Sequence, residues 1–253
     1  FGGRPLRVPL GVKIFISAVN LPELKRRVEE NLSEALIWFT KNRLKLNPAK
    51  TDLLVLKSAR LNVNFEFKVT FGNSEIVPVQ SVKILGVTLD SALTWQQHIA
   101  AVTRRCSCVL IGLARIRCRV PRETRSLLVE ALVFPHIQYC MCVWGSCTAT
   151  QRRRLQKCIN FAARVVSGLG YREHISGTLR ELGWSDVGDM LQKRDMMTMY
   201  RLSYDENAPE LLRSRIVSRA NVSLRETRAV SDGLLEIPRA RTELARRSFF
   251  IRA

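Results

Sequence analysis

Arg153, Lys157, Asn160 and Arg164 recur at intervals of four, three and four, the spacing that puts side chains on one face of an α-helix. Arg152 and Arg154 flank the first of them and make this the densest basic stretch of the chain. Arg104, Arg105, Arg115, Arg117 and Arg119 lie in an earlier helical stretch. Rows of guanidinium and ammonium groups neutralise phosphates and release counterions, so both helices are expected to track a nucleic-acid backbone. The plainer alternative for any one of these residues is a solvated helix face. The overall balance favours a polyanionic partner: 41 Lys and Arg against 22 Asp and Glu give a net charge of +19, spread along the whole sequence.

Other reactive side chains carry less. Cys140, Cys142, Cys147 and Cys158, with His136 nearby, fit no zinc spacing, and Cys158 falls inside a predicted helix. The seven cysteines therefore read as buried thiols of a reducing, intracellular protein, with the nucleus as a candidate compartment. No apolar run reaches the roughly 18 residues of a spanning helix. The chain starts at Phe1 and stops after Phe249-Phe250-Ile251, which reads as a piece of a longer protein.

The elements that must position these residues give an α+β reading. Residues 1–11 are rich in Gly and Pro and irregular. Val12–Ser17 reads as a strand, and Asn20 with Pro22 as the start of an amphipathic helix through Leu21, Leu24, Val28, Leu32, Ala35 and Phe39. Asp52–Leu56 is expected to be a strand. Phe65–Phe71 and Ser74–Val79 form a hairpin about Gly72-Asn73, and Val82–Leu89 is a single further strand. Gly86 there allows either a bulge or close approach of a partner. Everything after Thr94 is helical. Its first stripe is Trp95, Ile99, Val102, Cys106, Val109, Leu113 and Ile116. Pro121 opens a helix with Leu127, Leu128, Ala131 and Leu132 as its apolar face, and Pro135 ends or kinks it. Thr148 or Thr150 caps a helix whose core face is Leu155, Ile159, Ala162 and Val166, and Gly168 and Gly170 end it. Shorter and longer helices follow over Ser176–Leu182 and Asp186–Tyr204, with Trp144 and the run of methionines in the core. Residues 214–253 take no firm assignment.

Several motifs now stand in order. They are Trp38-Phe39, Asn42-Arg43-Leu44-Lys45-Leu46-Asn47-Pro48-Ala49-Lys50-Thr51, Leu85-Gly86-Val87 with Leu89-Asp90, Leu93-Thr94-Trp95 and His98-Ile99. Val143-Trp144-Gly145, Arg154-Leu155-Gln156, Asn160 to Arg164, Arg246-Arg247-Ser248-Phe249 and Arg252-Ala253 follow. This ordered set resembles the C-terminal half of non-LTR, LINE-like retrotransposon reverse transcriptases of the jockey type, over nearly the whole chain. The resemblance implies a partial palm of short antiparallel strands plus a helix over residues 12–92. It implies a helical thumb over 93–170 and a helical connector over 171–253. It implies that Leu85, Gly86 and Val87 form the primer grip, and that Lys50 protonates the leaving pyrophosphate or touches incoming phosphate. The partners implied are an RNA template and a DNA primer, bound through Arg104, Arg105, Arg115, Arg119, Arg152, Arg153, Arg154, Lys157 and Arg164.

The complete family enzyme uses Mg²⁺ held by aspartates. In this family two of them sit in a Tyr-x-Asp-Asp turn just before a strand like Val12–Ser17. Leu10 and Gly11 stand at those positions here, and no acidic residue precedes Glu23. The chain is therefore expected to bind no metal and to be inactive alone. A nucleic-acid-binding protein without a polymerase role, retained by a host or a relic, is the alternative.

Overall fold

The computed structural model describes residues 12–44, 47, 50–56, 67–71, 74–222 and 234–252. The chain divides into two units, Phe1–Thr94 and Trp95–Ala253. The first mixes one long helix with short strands and the second is helical, which agrees with the α+β reading.

In the first unit α1 spans Leu21–Lys41. Asn20 caps it by accepting a hydrogen bond from the Glu23 amide at 3.0 Å, as the sequence suggests. Its apolar stripe closes over Phe67 and Val69, with Val28 at the centre and Leu53 and Val55 alongside. Val69–Phe71 (β1) pairs antiparallel with Ser74–Ile76 (β2), Phe71 facing Ser74. The expected turn residues Gly72 and Asn73 lie outside the described residues, as do Phe65 and Glu66 at the start of that predicted hairpin and, earlier in the chain, Leu10 and Gly11.

Three strand expectations are corrected. Val12–Ser17 pairs with no strand among the described residues. Val12, Ile14 and Phe15 are exposed, Ile16 packs on α1, and the Ser17 carbonyl accepts from the Arg27 guanidinium at 3.0 Å. Asp52–Leu56 shrinks to a single parallel bridge between Leu53 and Pro78. Val79 N–H donates to the Leu53 carbonyl at 2.8 Å, but Pro78 has no N–H with which to extend a ladder. Val82–Leu89 is not one strand. Ser81–Ile84 (β3) turns back at once as Val87–Asp90 (β4), with Ile84 paired to Val87.

Asp90 ends this hairpin with its carboxylate buried. It accepts from the Ala92 and Thr94 amides at 3.2 and 2.9 Å and from the Thr94 hydroxyl at 3.1 Å. The Leu89-Asp90-x-x-Leu93-Thr94 motif is thus a folded turn in which the acid satisfies backbone donors.

The second unit is built on α2 (Gln96–Ile116) and α6 (Ala149–Ser167), which pack on each other. Between them come α3 (Arg122–Leu132), α4 (Phe134–Gln138) and α5 (Met141–Trp144). After α6 follow α7 (Ser176–Glu181), α8 (Val187–Tyr204) and α9 (Glu210–Arg213). A 3-10 turn at Arg219–Asn221 precedes α10 (Glu243–Arg246) and α11 (Phe249–Arg252). Pro135 sits in the first turn of α4, so the chain does break there, after α3. No helix among the described residues is long and apolar enough to cross a membrane.

The buried faces differ in places from the periodic expectation. On α2 the stripe passes through Leu110 rather than Val109, and Ile116 is exposed. At 3.6 residues per turn a strict 4-3-4-3 ladder drifts off the contact line, so the packed face steps sideways within two turns. On α3 the core residues are Val129, with Val133 just past its end, whereas Leu127 and Leu132 face solvent. On α8, Met196 and Met197 are exposed rather than core, and the buried line is Val187, Leu191 and Asp195, with Leu202 beyond.

Asp195, 1% exposed, is the least expected core residue. Arg252 meets it with two parallel bonds, Nε to Oδ2 at 2.5 Å and an Nη to Oδ1 at 3.0 Å. The same guanidinium donates to the carbonyls of Cys142 and Arg247 at 3.1 and 2.9 Å. Gly145 leaves room for it: a Cβ there would lie 3.0 Å from the guanidinium and 2.3 Å from Leu191 Cδ1. The Trp144-Gly145 motif and the distal arginine motif are therefore one packed assembly, and residues 214–253, left unassigned from sequence, contribute its key.

Removing one partner of such a pair strands a buried charge. Arg252→Ala is expected to lower stability by about 3–5 kcal/mol, whereas Arg252→Met combined with Asp195→Leu recovers most of the loss; urea denaturation of the two variants checks this. His98, buried with its ring 5.9 Å from that of Trp144, has its pKa pushed down, first by burial and then by the Arg105 charge. Below its ordinary value of 6.5 the unfolded chain takes up the proton first. Melting temperature is therefore expected to fall as pH drops through 6.5 toward 5. The decline should be shallower in His98→Gln.

Candidate nucleic-acid interface

Thr148 starts α6 with a capping box. Its amide donates to Gln151 Oε1 at 2.7 Å and the Gln151 amide donates to the Thr148 hydroxyl at 3.4 Å. Leu155, Ile159, Ala162 and Val166 are fully buried, as expected, and Gly168 ends the helix at φ 79°. With that side committed inward, Arg153, Arg154 and Lys157 are exposed. On α2 and the turn after it, Arg104, Arg105, Arg115, Arg117 and Arg119 are exposed as well. None of these eight side chains enters a salt bridge among the described residues, so their charge faces solvent.

Two of the expected phosphate contacts are less open than the rest. Arg152 is half-buried, with its Nε enclosed, and its charge acts on the buried Cys147 thiol together with those of Arg252 and Arg247. Arg164 is spent on the chain itself. It donates to the carbonyls of Asn160, Gly170 and Glu173 at 3.3, 3.2 and 3.0 Å. It is a strap for the loop after α6. A helical spacing argument places both residues beside Arg153 and Lys157 but says nothing of distant carbonyls that claim a guanidinium.

In the first unit the predicted primer grip is the tip of the β3–β4 hairpin. Leu85 and Gly86 are its two turn residues, at φ 46° and 87°, the handedness that two-residue hairpin turns require. Leu85 is 78% exposed, an apolar side chain held out in a backbone region leucine avoids. Val87, the first residue of β4, is buried. Lys50 is exposed after Asn47, whose carbonyl accepts from the Lys50 amide at 3.0 Å.

The cysteines divide. Cys106, Cys147 and Cys158 are buried, while Cys108 and Cys118 are exposed, contrary to the expectation of uniformly buried thiols. Burial pushes the Cys106 thiol up to about 12. Among the described residues no three His, Cys, Asp or Glu side chains converge.

Two proteins of Drosophila melanogaster are similar to the chain. One is described as "Probable RNA-directed DNA polymerase from transposon BS", 26% identical over 186 residues, which is 68% of this chain and 19% of that protein. The other, "Probable RNA-directed DNA polymerase from transposon X-element", is 26% identical over 155 residues, 58% of this chain and 17% of that protein. The chain thus spans about a fifth of the length of these relatives. No family model and no solved structure matches it. The alignments support a relationship to part of a transposon reverse transcriptase.

The strained leucine yields a direct test. Asn tolerates the left-handed region, so Leu85→Asn is expected to stabilise the hairpin by about 0.5–1 kcal/mol. Slower amide exchange across β3 and β4 is the expected readout; faster exchange sinks the account of strain.

Proposed function

We propose that this chain is the template–primer-holding part of a non-LTR, jockey-like retrotransposon reverse transcriptase. Residues 12–92 are the remainder of the palm, 93–170 the thumb and 171–253 the connector. The observation that carries the reading is the basic row on α6, Arg153, Arg154 and Lys157, exposed and in no salt bridge among the described residues while the opposite face of the helix is buried. Similarity to transposon RNA-directed DNA polymerases supports the choice of nucleic acid as the polyanion. The basic helices neutralise phosphates of an RNA–DNA hybrid. The Leu85-Gly86 tip is the primer grip, its exposed leucine lying against the sugar face of the 3′-terminal residue and its glycine letting the backbone approach closely. Lys50 contacts phosphate.

In this proposal the chain positions a 3′ end and does not extend it, because Leu10 and Gly11 replace the paired aspartates of the family pattern. Mg²⁺ is the cofactor of the complete enzyme in the same reading. With Mg²⁺ and a primed RNA template, this polypeptide is expected to add no nucleotide; template-dependent addition overturns that part of the proposal. Binding to an RNA–DNA hybrid should fall steeply as salt rises, and the double charge reversal Arg153→Glu, Lys157→Glu should reduce the log–log slope by about 2. Fluorescence anisotropy at several salt concentrations measures it. A wild-type affinity indifferent to salt rejects the interface.

A further inference from the structure

We infer that the loop after α6 is a stacking site for an unpaired nucleobase, set at one end of the basic row. The inference rests on the nucleic-acid reading above and adds to it a site for single-stranded chain, with Tyr171 as the stacking residue. Arg164 and Tyr171 are absent from the exposed row for opposite reasons. Arg164 is consumed in fixing the loop; Tyr171 is what the loop displays.

Arg164 bonds the carbonyls of Gly170 and Glu173, on either side of the tyrosine. The Gly170 amide donates to Glu173 Oε1 at 2.6 Å, which turns the local carboxylate back onto the backbone. The Tyr171 ring lies with its centroid 6.0 Å from the Arg164 guanidinium carbon. It is nevertheless 90% exposed, and Arg172 beside it is exposed too. A large aromatic side chain left this open gains nothing from burial. The guanidinium behind it and the fixed loop remove much of the entropy cost of holding it ready.

Position specifies the ligand. Arg153, Lys157 and Arg164 stand at steps of four and seven on α6, so they form one line. At 1.5 Å per residue, Lys157 lies about 6 Å along the axis from Arg153, and the Arg164 anchor of the loop about 10 Å further. A strand whose phosphates follow the first two cations reaches the ring with its bases. A paired base in a duplex is stacked and shielded, whereas an unpaired base offers a face to an aromatic platform regardless of sequence.

The test uses the full chain and fluorescence anisotropy with two probes, a labelled single-stranded oligo(dT) and a blunt RNA–DNA hybrid. Tyr171→Ala is expected to weaken oligo(dT) binding about tenfold and to leave the hybrid within about twofold. Tyr171→Phe keeps wild-type affinity for both, and Tyr171→Leu, apolar but not flat, behaves like the alanine variant. Equal oligo(dT) affinity in Tyr171→Ala and wild type overturns the inference, as does an equal loss on both probes. Arg153→Glu, Lys157→Glu separates the two readings. If it weakens both probes while Tyr171→Ala weakens neither, the stacking site falls and the phosphate row stands. If neither variant changes binding, both fall. Melting temperature establishes that each variant is folded, because Tyr171 makes no core contact to lose.

Discussion

The rotation of α6 about its own axis is the constraint on which the helical unit and its proposed surface both depend. Leu155, Ile159, Ala162 and Val166 are fully buried, and each residue of slip would turn the helix by about 100°. Such a slip would drive Arg153 or Arg154 toward the core and expose an apolar row in its place. Burial at roughly 25 cal/mol per Å² over several side chains outweighs any preference of the outer face. The packing on α2, where Ile99, Cys106 and Leu110 are also fully buried, fixes the partner helix in the same way. A basic face that meets no carboxylate among the described residues is thus held in place by the buried side of its own helix.

The second organising contact is polar. Asp195 lies where a helix of this kind would ordinarily carry a leucine, and Arg252 completes it from far along the sequence. The pair gathers α5, α8 and α11 through one guanidinium, with Gly145 shaped to admit it. An apolar pair of similar volume would give comparable stability. What the ion pair adds is selectivity among packings, since a displaced α11 leaves a charge in the core instead of a tolerable void.

Local physics made much of this legible in the sequence. Asn20, Thr148, Asp186, Gly168 and Pro135 mark helix boundaries through groups a few residues away, and the structure agrees with each. The apolar stripes of α1 and α6 were readable for the same reason. The β3–β4 turn was not, because leucine is a poor advertisement for a left-handed residue. Val12–Ser17 and Asp52–Leu56 have strand composition, but a strand is a property of two segments and composition reports one. Leu127 and Met196 show the same limit on helices: hydrophobicity says what a residue tolerates, and the neighbouring element decides whether it is covered. The site divided along that line too. Rows of arginines were visible, but not that Arg152 is half-buried and Arg164 bonds the carbonyls of its own loop, nor that Tyr171 stays exposed beside that guanidinium.

The distance along the chain between Asp195 and its arginine has a consequence during synthesis. Arg252 is made 57 residues after Asp195 and 110 after Cys142. At the pace of a ribosome that is a delay of roughly 3 to 11 s for the shorter interval. Through that interval α5 and α8 already exist as sequence, yet the buried carboxylate lacks the guanidinium that pairs with it in the folded chain. The contact that joins α5, α8 and α11 is therefore completed only when that one late side chain arrives.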